Sequence, residues 1–316
     1  MVYTHIPVLL NEVIEGLAIK PEGIYLDATF GRGGHSREIL KRLGKHGRLV
    51  AFDRDLQAVE AAQKITDERF QIIHTPFSRM KSVCDEYGLT GKVDGILMDI
   101  GISSPQIDDP QRGFSFDKDG PLDMRMDKSA KLDAKTIVNT YSKEDLTYIF
   151  KVYGEENFAA KVASSIVRRR EDKEFTSTLE LANFIKSVIG GKPTPKNKAT
   201  RCFQALRIAV NAELDELRTA LDDSLDVLAD EGRLLVISFH SLEDRIVKNF
   251  IKTNNKGQTI PNGLPVTYEE TERIRLATAK VEPVGGPIKA TPLETSINIR
   301  ARSATLRICS RLKRQV

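Results

Sequence analysis

The sequence predicts an α/β fold, a mostly parallel sheet into which an all-helical domain is inserted. Four short apolar runs, each followed by a helical pattern, occur in the first third of the chain: 24–28, 49–53, 70–74 and 93–99. Residues 135 to about 208 show helical spacing and no strand pattern, and a strand pattern returns at 233–239. We therefore expect residues 1–106 and 211–316 to form one domain, with 107–210 as an inserted lid and helical domain.

Composition limits the class of protein. The chain has 316 residues, of which 40% are hydrophobic and 29% are charged, as in a globular protein of about two domains. No run approaches the roughly 20 apolar residues of a membrane span, and the start lacks the pattern of a signal peptide. Cys84, Cys202 and Cys309 are far apart and no C-x-x-C occurs. We therefore expect no disulfide framework, no bound metal and a reducing, cytoplasmic location.

The distribution of charge along the sequence is more informative than the net charge. Formal net charge is only +4, from 48 basic and 44 acidic residues, which is too small to indicate nucleic acid by itself. Basic residues cluster in three places: Arg168–Arg170, 190–201 and 300–316. Such clusters can neutralise phosphates, although a solvated surface is the simpler interpretation of any one of them. The helical domain carries two clusters and is the better candidate to face RNA.

In the first half of the sheet domain, each element follows from its apolar spacing and its flanking residues. Residues 8–17 predict a helix packed on the sheet, and the strand at 24–28 leads into a glycine loop and a helix that begins near Ser36. The later helices are expected at 58–65, with Asp55 as its cap, and around 83–87.

The inserted domain is expected to hold helices at 137–141, 146–150, 158–170 and 179–189, with Ser142 and Thr178 as caps. A long amphipathic helix over 211–228 returns to the sheet. Ser241 is expected to cap the helix through Phe250, and a short helix is expected near 268–275. Residues 296–300 and 305–310 predict a closing antiparallel hairpin.

The glycine loop after the first strand is the main functional signal. Gly31 and Gly33 fit a dinucleotide fingerprint, but its third glycine would fall at position 36, which is Ser36. Asp27 instead ends the strand before the loop. This resembles the acid-x-x-x-Gly-x-Gly motif of class I methyltransferases that use S-adenosylmethionine, in which the carboxylate can order the loop and meet the cofactor's ammonium. A tight turn without a ligand is the alternative for the loop alone.

Three further residues are predicted at the same edge of the sheet. Asp53 ends the second strand, where an acid can accept hydrogen bonds from both ribose hydroxyls. Phe77 follows the third strand and is placed either to pack on a purine ring or to join the core. Asp99 ends the fourth strand. Ligands of open α/β sheets bind beyond this edge.

The loop Ser103-Ser104-Pro105-Gln106 follows the fourth strand and resembles a diverged [Asp/Asn/Ser]-Pro-Pro-[Tyr/Phe] loop of amino-group methyltransferases. A side-chain oxygen and a backbone carbonyl in such a loop can accept the two N–H bonds of an exocyclic amine and direct its lone pair at the methyl group. Ser104 and Pro105 are therefore the candidates for positioning the amine. His240, at the end of the fifth strand, is a candidate for contact with substrate or for bonding within its own loop.

Residues 108–133 form a long irregular stretch rich in turn residues, placed directly after this loop. Basic and apolar groups alternate in it: Arg112, Phe114, Phe116, Arg125 and Met126. They could clamp a splayed base, or they could pack as a structural lid.

Five segments together resemble the ribosomal RNA small subunit methyltransferase H family, RsmH or MraW, over nearly the whole chain. They are His5-x-Pro7-Val8-Leu9-Leu10, Asp27 to Ser36, Ser103 to Gln106, Arg112 to Phe116 with Gly120 to Met126, and Ser238 to Arg245. The resemblance implies transfer of a methyl group from S-adenosylmethionine to N4 of a decoding-centre cytidine in 16S rRNA. It places cofactor contacts on the following residues: Gly33, Gly34, His35, Asp53, Phe77, Asp99 and Gln106. It implies 16S rRNA or the small subunit as partner and no membrane, and it leaves a homodimer open.

Three other functions compete with this one. A nucleotide-dependent oxidoreductase would share the sheet, but the missing third glycine and the Ser-Pro-Gln loop disfavour it. A non-catalytic RNA-binding or assembly protein could keep a cofactor site without using it. A DNA methyltransferase would share the chemical loop, but no separate DNA-recognition domain is evident.

Overall fold

The computed structural model describes residues 7–192, 197–258 and 267–313, and the chain divides into two compact units. The sheet unit comprises residues 1–101 and 215–316, and the helical unit comprises residues 102–214. The expected boundaries, after residues 106 and 210, lie a few residues away from these. Some residues of the sequence motifs and basic clusters fall outside the described part of the chain: His5, Lys196 and Arg314.

The sheet unit is built on one mixed sheet. Its described strands are β1 (Ile24–Asp27), β2 (Arg48–Asp53), β3 (Phe70–His74), β4 (Val93–Asp99), β5 (Leu228–Ser238), β6 (Val281–Pro283), β7 (Ile288–Lys289) and β8 (Thr305–Arg311). The order is β3-β2-β1-β4-β5-β8-β6, with β7 also paired to β8. Strands β1 to β5 are parallel, and β8 runs antiparallel to β5. The predicted parallel sheet with an antiparallel last strand is confirmed.

Helices flank the strands in the sheet unit and make up most of the helical unit. The described α-helices are α1 (Leu10–Leu17), α2 (Gly34–Leu40), α3 (Leu56–Ala62), α4 (Met80–Glu86), α5 (Ser104–Asp108), α6 (Ala134–Thr140), α7 (Lys143–Tyr148), α8 (Ala159–Asp172), α9 (Thr178–Ile189), α10 (Thr200–Asn211), α11 (Glu213–Val227), α12 (Ser241–Lys256), α13 (Tyr268–Thr278) and α14 (Pro292–Ile297). The predicted caps Asp55 and Ser142 accept hydrogen bonds from the first turns of α3 and α7.

Both faces of the sheet are covered, which explains why its strands are continuous apolar runs. Ile96 and Met98 of β4 belong to one core cluster, together with residues of α4, α11 and α12. Leu97, between them, belongs to the opposite cluster with residues of α1 and α2. Because side chains alternate along a strand, this is a sheet with a helical layer on each side.

The helical unit has its own core. One cluster of buried apolar residues runs through it, including Phe150, Val162, Phe175, Leu181 and Leu206. Helices α6, α8, α9 and α10 contribute residues at a spacing of three or four, so amphipathic periodicity places these residues on one side of each helix. The expectation of an all-helical character for this stretch is confirmed.

Helix ends were the least accurate predictions. Ser177, one residue before the expected Thr178, caps α9, and His240 rather than Ser241 caps α12. The expected helix over 211–228 is present as α11, and a separate helix, α10, comes directly before it, with Ala212 between them in a left-handed conformation of φ 49°. The Asn211 amide holds this corner by bonding Met126 N–H at 2.8 Å and Met124 carbonyl at 2.8 Å.

The predicted closing hairpin is half wrong. Residues 305–311 form β8 as expected, but 296–300 are not its partner strand. They end α14 and begin a 3₁₀ turn over Ile299–Ser303, in which Asn298 bonds the N–H of Arg300. The Asn298 side chain offers the backbone an alternative to extended pairing, and the short strands β6 and β7 pair with β8 instead.

Candidate active site at the carboxyl edge of the sheet

Three neighbouring strands of the sheet unit end in aspartates. Asp27 is the last residue of β1, Asp53 of β2 and Asp99 of β4. Since these strands are parallel and adjacent, their carboxyl ends lie at one edge, as the sequence predicted. We call this edge, with the following glycine loop, the rim.

Asp27 orders the glycine loop from beneath. Its carboxylate is buried and accepts a 2.5 Å hydrogen bond from the Ser36 hydroxyl and a 3.2 Å bond from the Thr29 N–H. Burial raises the pKa of Asp27 to about 6, and these two bonds act against the shift. Ser36, which breaks the dinucleotide fingerprint, is thus a partner of Asp27.

The glycines of the loop are required by its backbone and by its neighbours. Gly33 precedes α2 with φ 72°, and a Cβ there would lie 2.5 Å from the Phe30 ring. A Cβ on Gly34 would lie 2.3 Å from the Pro7 ring. Phe30 and Pro7 therefore pack against the loop and leave no space for side chains at these positions.

Asp53 holds the loop from the side. Its two oxygens accept hydrogen bonds from the N–H groups of Gly31 and Asp55, both at 2.8 Å. Burial raises its pKa to about 6, again against the effect of these bonds. Helix α3 is capped by Asp55, so the carboxylate of Asp53 is not used as a helix cap.

Asp99 is the most perturbed acid of the rim. Its backbone N–H donates to the Thr29 hydroxyl at 2.7 Å, and its side chain remains 21% exposed. Within the described residues, its Oδ1 is buried without a hydrogen-bond partner. Burial, followed by the negative charges of Asp27 and Glu243, raises the pKa of Asp99 to about 8.

His35, on the first turn of α2, stands beside Asp99. Its Nδ1 lies 3.7 Å from Asp99 Oδ2, and its Nε2 lies 3.0 Å from the carbonyl oxygen of Val8. A carbonyl can only accept, so Nε2 is the protonated nitrogen. His35 is buried, and its orientation is therefore set by the turn that contains Val8.

Phe77 begins a 3₁₀ turn directly after β3, at the same edge. It is half-buried and packs against the core cluster that contains Met80 and Val83. The core contact that the sequence offered as one alternative is present, and the rest of the side chain remains partly exposed.

The other predicted site residues lie in the helical unit. Ser104 and Pro105 are the first two residues of α5, which follows β4 in the chain. Gln106 is buried and forms a capping box with Ser103, whose N–H it accepts at 3.0 Å. The structure thus brings together Gly33, Gly34, His35, Asp53, Phe77 and Asp99 in the sheet unit, and it places Ser104, Pro105 and Gln106 on one short helix in the helical unit.

His240 bonds within its own loop. Its Nδ1 caps α12 by accepting the Glu243 N–H at 3.4 Å, and its Nε2 lies 2.9 Å from Glu243 Oε1. Glu243 also accepts the N–H groups of Phe239 and His240. The loop bonding that the sequence offered as one of two roles for His240 is therefore present.

The stretch 108–133 packs as part of the helical unit. Arg112 is fully buried and donates to the carbonyls of Arg125 and Met126, and its guanidinium lies 5.8 Å from the Phe114 ring. Arg125 forms an ion pair with Asp123, and Phe116 packs edge-on against Phe203. These side chains follow the structural-lid alternative, because their polar and aromatic groups are engaged inside the unit.

In the Arg168–Arg170 cluster, two of the three side chains are bound within the helical unit. Arg169 pairs with Glu180 and lies over the Phe175 ring, and Arg170 donates to the carbonyls of Val138 and Tyr141. Arg168 is exposed. Only one of the three guanidinium groups is thus on the open surface.

Thr29, Phe30 and the turn at Pro7–Val8 were not singled out as site residues by the sequence. Thr29 and Phe30 lie within the glycine motif, which was the available signal. Residues 7–8 contact the glycine loop although they are distant from it in sequence, and no local sequence pattern predicts such a contact.

In the described parts of the chain, no helix is long and apolar enough to cross a bilayer.

Comparison with known proteins agrees with the sequence resemblance. A model of the MraW methylase family matches residues 2–312. Ribosomal RNA small subunit methyltransferase H of Alteromonas mediterranea is 51% identical over 311 residues, which are 98% of this chain and 98% of that protein.

Solved structures resemble the chain more distantly. An rRNA methylase of Streptococcus thermophilus is 13% identical, with a TM-score of 0.43 over 98% of this chain and 100% of that chain. A Streptococcus mutans protein in complex with SAH is also 13% identical, with a TM-score of 0.43 and the same coverage.

The family match extends over almost the whole chain, and the Alteromonas relative is 51% identical over 98% of both chains. The expected family, the class I fold and S-adenosylmethionine as the cofactor are thereby confirmed. The chain belongs to the MraW methylase family.

Proposed function

We propose that this protein transfers the methyl group of S-adenosylmethionine to N4 of a decoding-centre cytidine in bacterial 16S rRNA, the m4Cm position. The observation that carries the proposal is the family match over residues 2–312, joined by a 51% identical relative named for small-subunit rRNA methylation. The proposed partner is 16S rRNA or the small subunit, which places the protein in the cytoplasm.

The rim suits a positively charged donor. Asp27, Asp53 and Asp99 all have raised pKa values, and Asp99 Oδ1 is buried with no partner among the described residues. A cation brought to this edge would stabilise the ionised carboxylates and satisfy the orphaned oxygen. S-adenosylmethionine supplies an electrophilic methyl group on a positively charged sulfur, so its charge is of the required sign.

Each predicted cofactor contact then has a role that its surroundings allow. Carboxylate oxygens have more than one acceptor site each, so Asp53 can hold Gly31 and Asp55 and still accept from ribose hydroxyls. The bare backbone at Gly33 and Gly34 allows close approach of the ligand. The exposed part of Phe77 would pack on the purine, while His35, Asp99 and Gln106 would orient the rest.

The chain's contribution to catalysis is proposed to be alignment. The exocyclic amine of cytosine is a poor nucleophile because its lone pair is delocalised into the ring. Ser104 and a backbone carbonyl at Pro105 would accept its N–H bonds and direct the lone pair at the methyl group. The N4–CH3 bond would form as the S–CH3 bond breaks, and the methylated amine would then release one proton to solvent. Holding both reactants in this geometry lowers the barrier without a covalent intermediate.

The proposal is tested by the identity of the modified nucleotide. Mass spectrometry of 16S rRNA from cells with and without this protein should show N4-methylation of one decoding-centre cytidine only where the protein is present. Complementation with the wild-type chain should restore the mark, and the Asp53→Ala variant should restore less of it. An unchanged mark in the deletion strain would contradict the proposal.

Purified components separate the competing functions. Wild-type protein with radiolabelled donor should label small subunits or 16S rRNA that lack the mark, and titration calorimetry should show binding of S-adenosylmethionine and none of NAD. Donor binding without transfer to either RNA substrate would favour the assembly protein. Tight NAD binding in place of the donor would favour the oxidoreductase.

A further inference from the structure

A glutamate far from the rim in sequence holds the turn that orients His35. Glu294 lies in the first turn of α14, and its Oε1 accepts the backbone N–H of Leu9 at 2.7 Å, across 285 residues of sequence. The cap of α14 is Thr291, whose hydroxyl accepts the Glu294 N–H at 3.1 Å. Glu294 thus links this helix to the turn before α1.

The backbone N–H of Leu9, which donates to Glu294, has few alternative acceptors. Leu9 is fully buried and has a left-handed backbone with φ 52°, and it precedes α1 as a cap residue without side-chain capping. A buried N–H deprived of its acceptor is unfavourable, because it cannot bond to water instead. The turn at 8–9 is therefore held by the carboxylate of a residue that is distant in sequence.

The same peptide unit bonds His35 from its other side. The N–H of Leu9 and the carbonyl of Val8 belong to one planar group, in which they point in opposite directions. Glu294 accepts from the N–H, and the carbonyl accepts from His35 Nε2 at 3.0 Å. Rotation of this peptide would disturb both bonds together, and each bond polarises the group in the sense that strengthens the other.

His35 then presents its second nitrogen to the rim. Its Nδ1 lies 3.7 Å from Asp99 Oδ2, and Pro7, one residue before Val8, packs on Gly34 of the same loop. Residues 7–9 therefore contact both the imidazole and the glycine loop. They fix the orientation of the imidazole, the identity of its protonated nitrogen and the position of the loop.

We propose that Glu294 is a positioning residue of the methyl-donor site, which fixes the Val8–Leu9 peptide and through it the tautomer and orientation of His35. The proposal rests on the proposed function only in taking the rim as the donor site. In this proposal Glu294 acts through the Val8–Leu9 peptide and not through contact with donor or substrate.

Three substitutions of Glu294 test this inference against a purely structural role. Glu294→Ala removes the acceptor, Glu294→Asp keeps the charge but shortens the reach, and Glu294→Gln keeps an acceptor oxygen. We expect Glu294→Ala to weaken donor binding by about tenfold, as for other outer hydrogen-bond partners, with a smaller loss for Asp and the least for Gln.

Glu270 provides the matched control. It stands at the same position of α13 that Glu294 occupies in α14, three residues after a threonine cap, and it accepts the Thr267 N–H at 2.9 Å. Its contacts stay within its own helix end. Glu270→Ala should lower stability as a lost cap does and leave donor affinity unchanged.

The deciding readout is the imidazole of His35 in the free protein. Nitrogen NMR of histidine-labelled protein should show Nε2 protonated in the wild type and in Glu294→Gln. Glu294→Ala should give a mixture of tautomers, and Glu294→Asp should do so if the alanine variant does not fold. Wild-type donor affinity and an unchanged tautomer in a folded variant would overturn the proposal.

The outcome is separable from the proposed function. The tautomer is measured without donor or RNA, so it reports on Glu294 even if the rRNA is not methylated. A wild-type protein that binds donor but labels no RNA would contradict the function and leave the role of Glu294 standing.

Discussion

The Nδ1 atom of His35 lies 3.7 Å from Oδ2 of Asp99, too far for a hydrogen bond but close enough for the protonation state of one group to affect the other. Because Nε2 carries the proton that Val8 accepts, a neutral His35 turns a lone pair toward Asp99. An ionised Asp99 would face that lone pair without a donor. A protonated Asp99 at neutral pH is consistent with this arrangement and with its pKa of about 8.

Donor binding should therefore depend on pH. A bound cation favours the ionised form of Asp99, so the complex holds fewer protons than the free protein below the raised pKa. Rising pH then favours the complex, and affinity should increase between about pH 6 and about pH 8, by up to about tenfold per unit where one proton is released.

Calorimetry in two buffers of different ionisation enthalpy counts that proton. Asp99→Asn should lower the affinity at pH 8 and remove most of the proton release between pH 7 and 8. The same slope in the Asn variant would assign the proton to another group.

Asp53→Ala should weaken donor binding by about 1.5–3 kcal/mol, as expected for lost charge-assisted hydrogen bonds to the ribose. The substitution also removes the acceptor of the Gly31 N–H, so the glycine loop should become less ordered.

Asp67→Ala is a suitable control for Asp53→Ala. Asp67 is in the same unit and pairs with Arg69 just before the amino end of β3, at the opposite end of that strand from the rim. Titration calorimetry should show a wild-type affinity for this control. An unchanged affinity in Asp53→Ala would mean that the carboxylate does not meet the donor.

Gly33→Ala and Gly88→Ala should separate backbone strain from crowding at the rim. Both positions have positive φ, 72° and 64°, so each alanine costs about 1–2 kcal/mol of strain. Only at Gly33 would the new Cβ also meet a ring, that of the buried Phe30, whereas Gly88 has open space.

Thermal unfolding and donor titration check the glycine pair. Both variants should lose stability, with the larger loss at Gly33, and only Gly33→Ala should lose donor affinity. Equal losses in both measurements would show that the loop accommodates a side chain.

Arg112→Met should destabilise the helical unit by about 3 kcal/mol, because it leaves the buried carbonyls of Arg125 and Met126 without their donor. Arg168→Met replaces an exposed guanidinium in the same unit and should change stability by less than about 0.5 kcal/mol. Differential scanning calorimetry compares the two. Equal stabilities would mean that Arg112 is not needed to hold the 108–133 stretch.

The sheet could be predicted from sequence because its strands are buried on both faces. Such strands are continuous apolar runs, and β3 and β4 were located to the residue. Asp53 and Asp99 were placed at the rim for the same reason, since a strand's last residue fixes its edge. The Asp55 cap followed from local hydrogen-bonding chemistry.

The remaining details depend on contacts between distant residues. The break at Ala212 has no glycine or proline to announce it, since Asn211 and its bonds to Met124 and Met126 hold the corner. Histidine is not a common helix cap, so the sequence favours Ser241 and not His240 as the cap of α12. The bond between Glu294 and Leu9 has no local signature at all.

The insertion of the helical unit imposes an order on folding during synthesis. Residues 102–214 are one uninterrupted stretch with their own core, and they are complete before β5 is made. Strand β4 must wait for β5, and β5 for β8, which follows it in the chain. If the helical unit folds as soon as it is made, the nascent chain exposes an incomplete sheet until β8 is available, and unpaired strand edges of that kind favour aggregation.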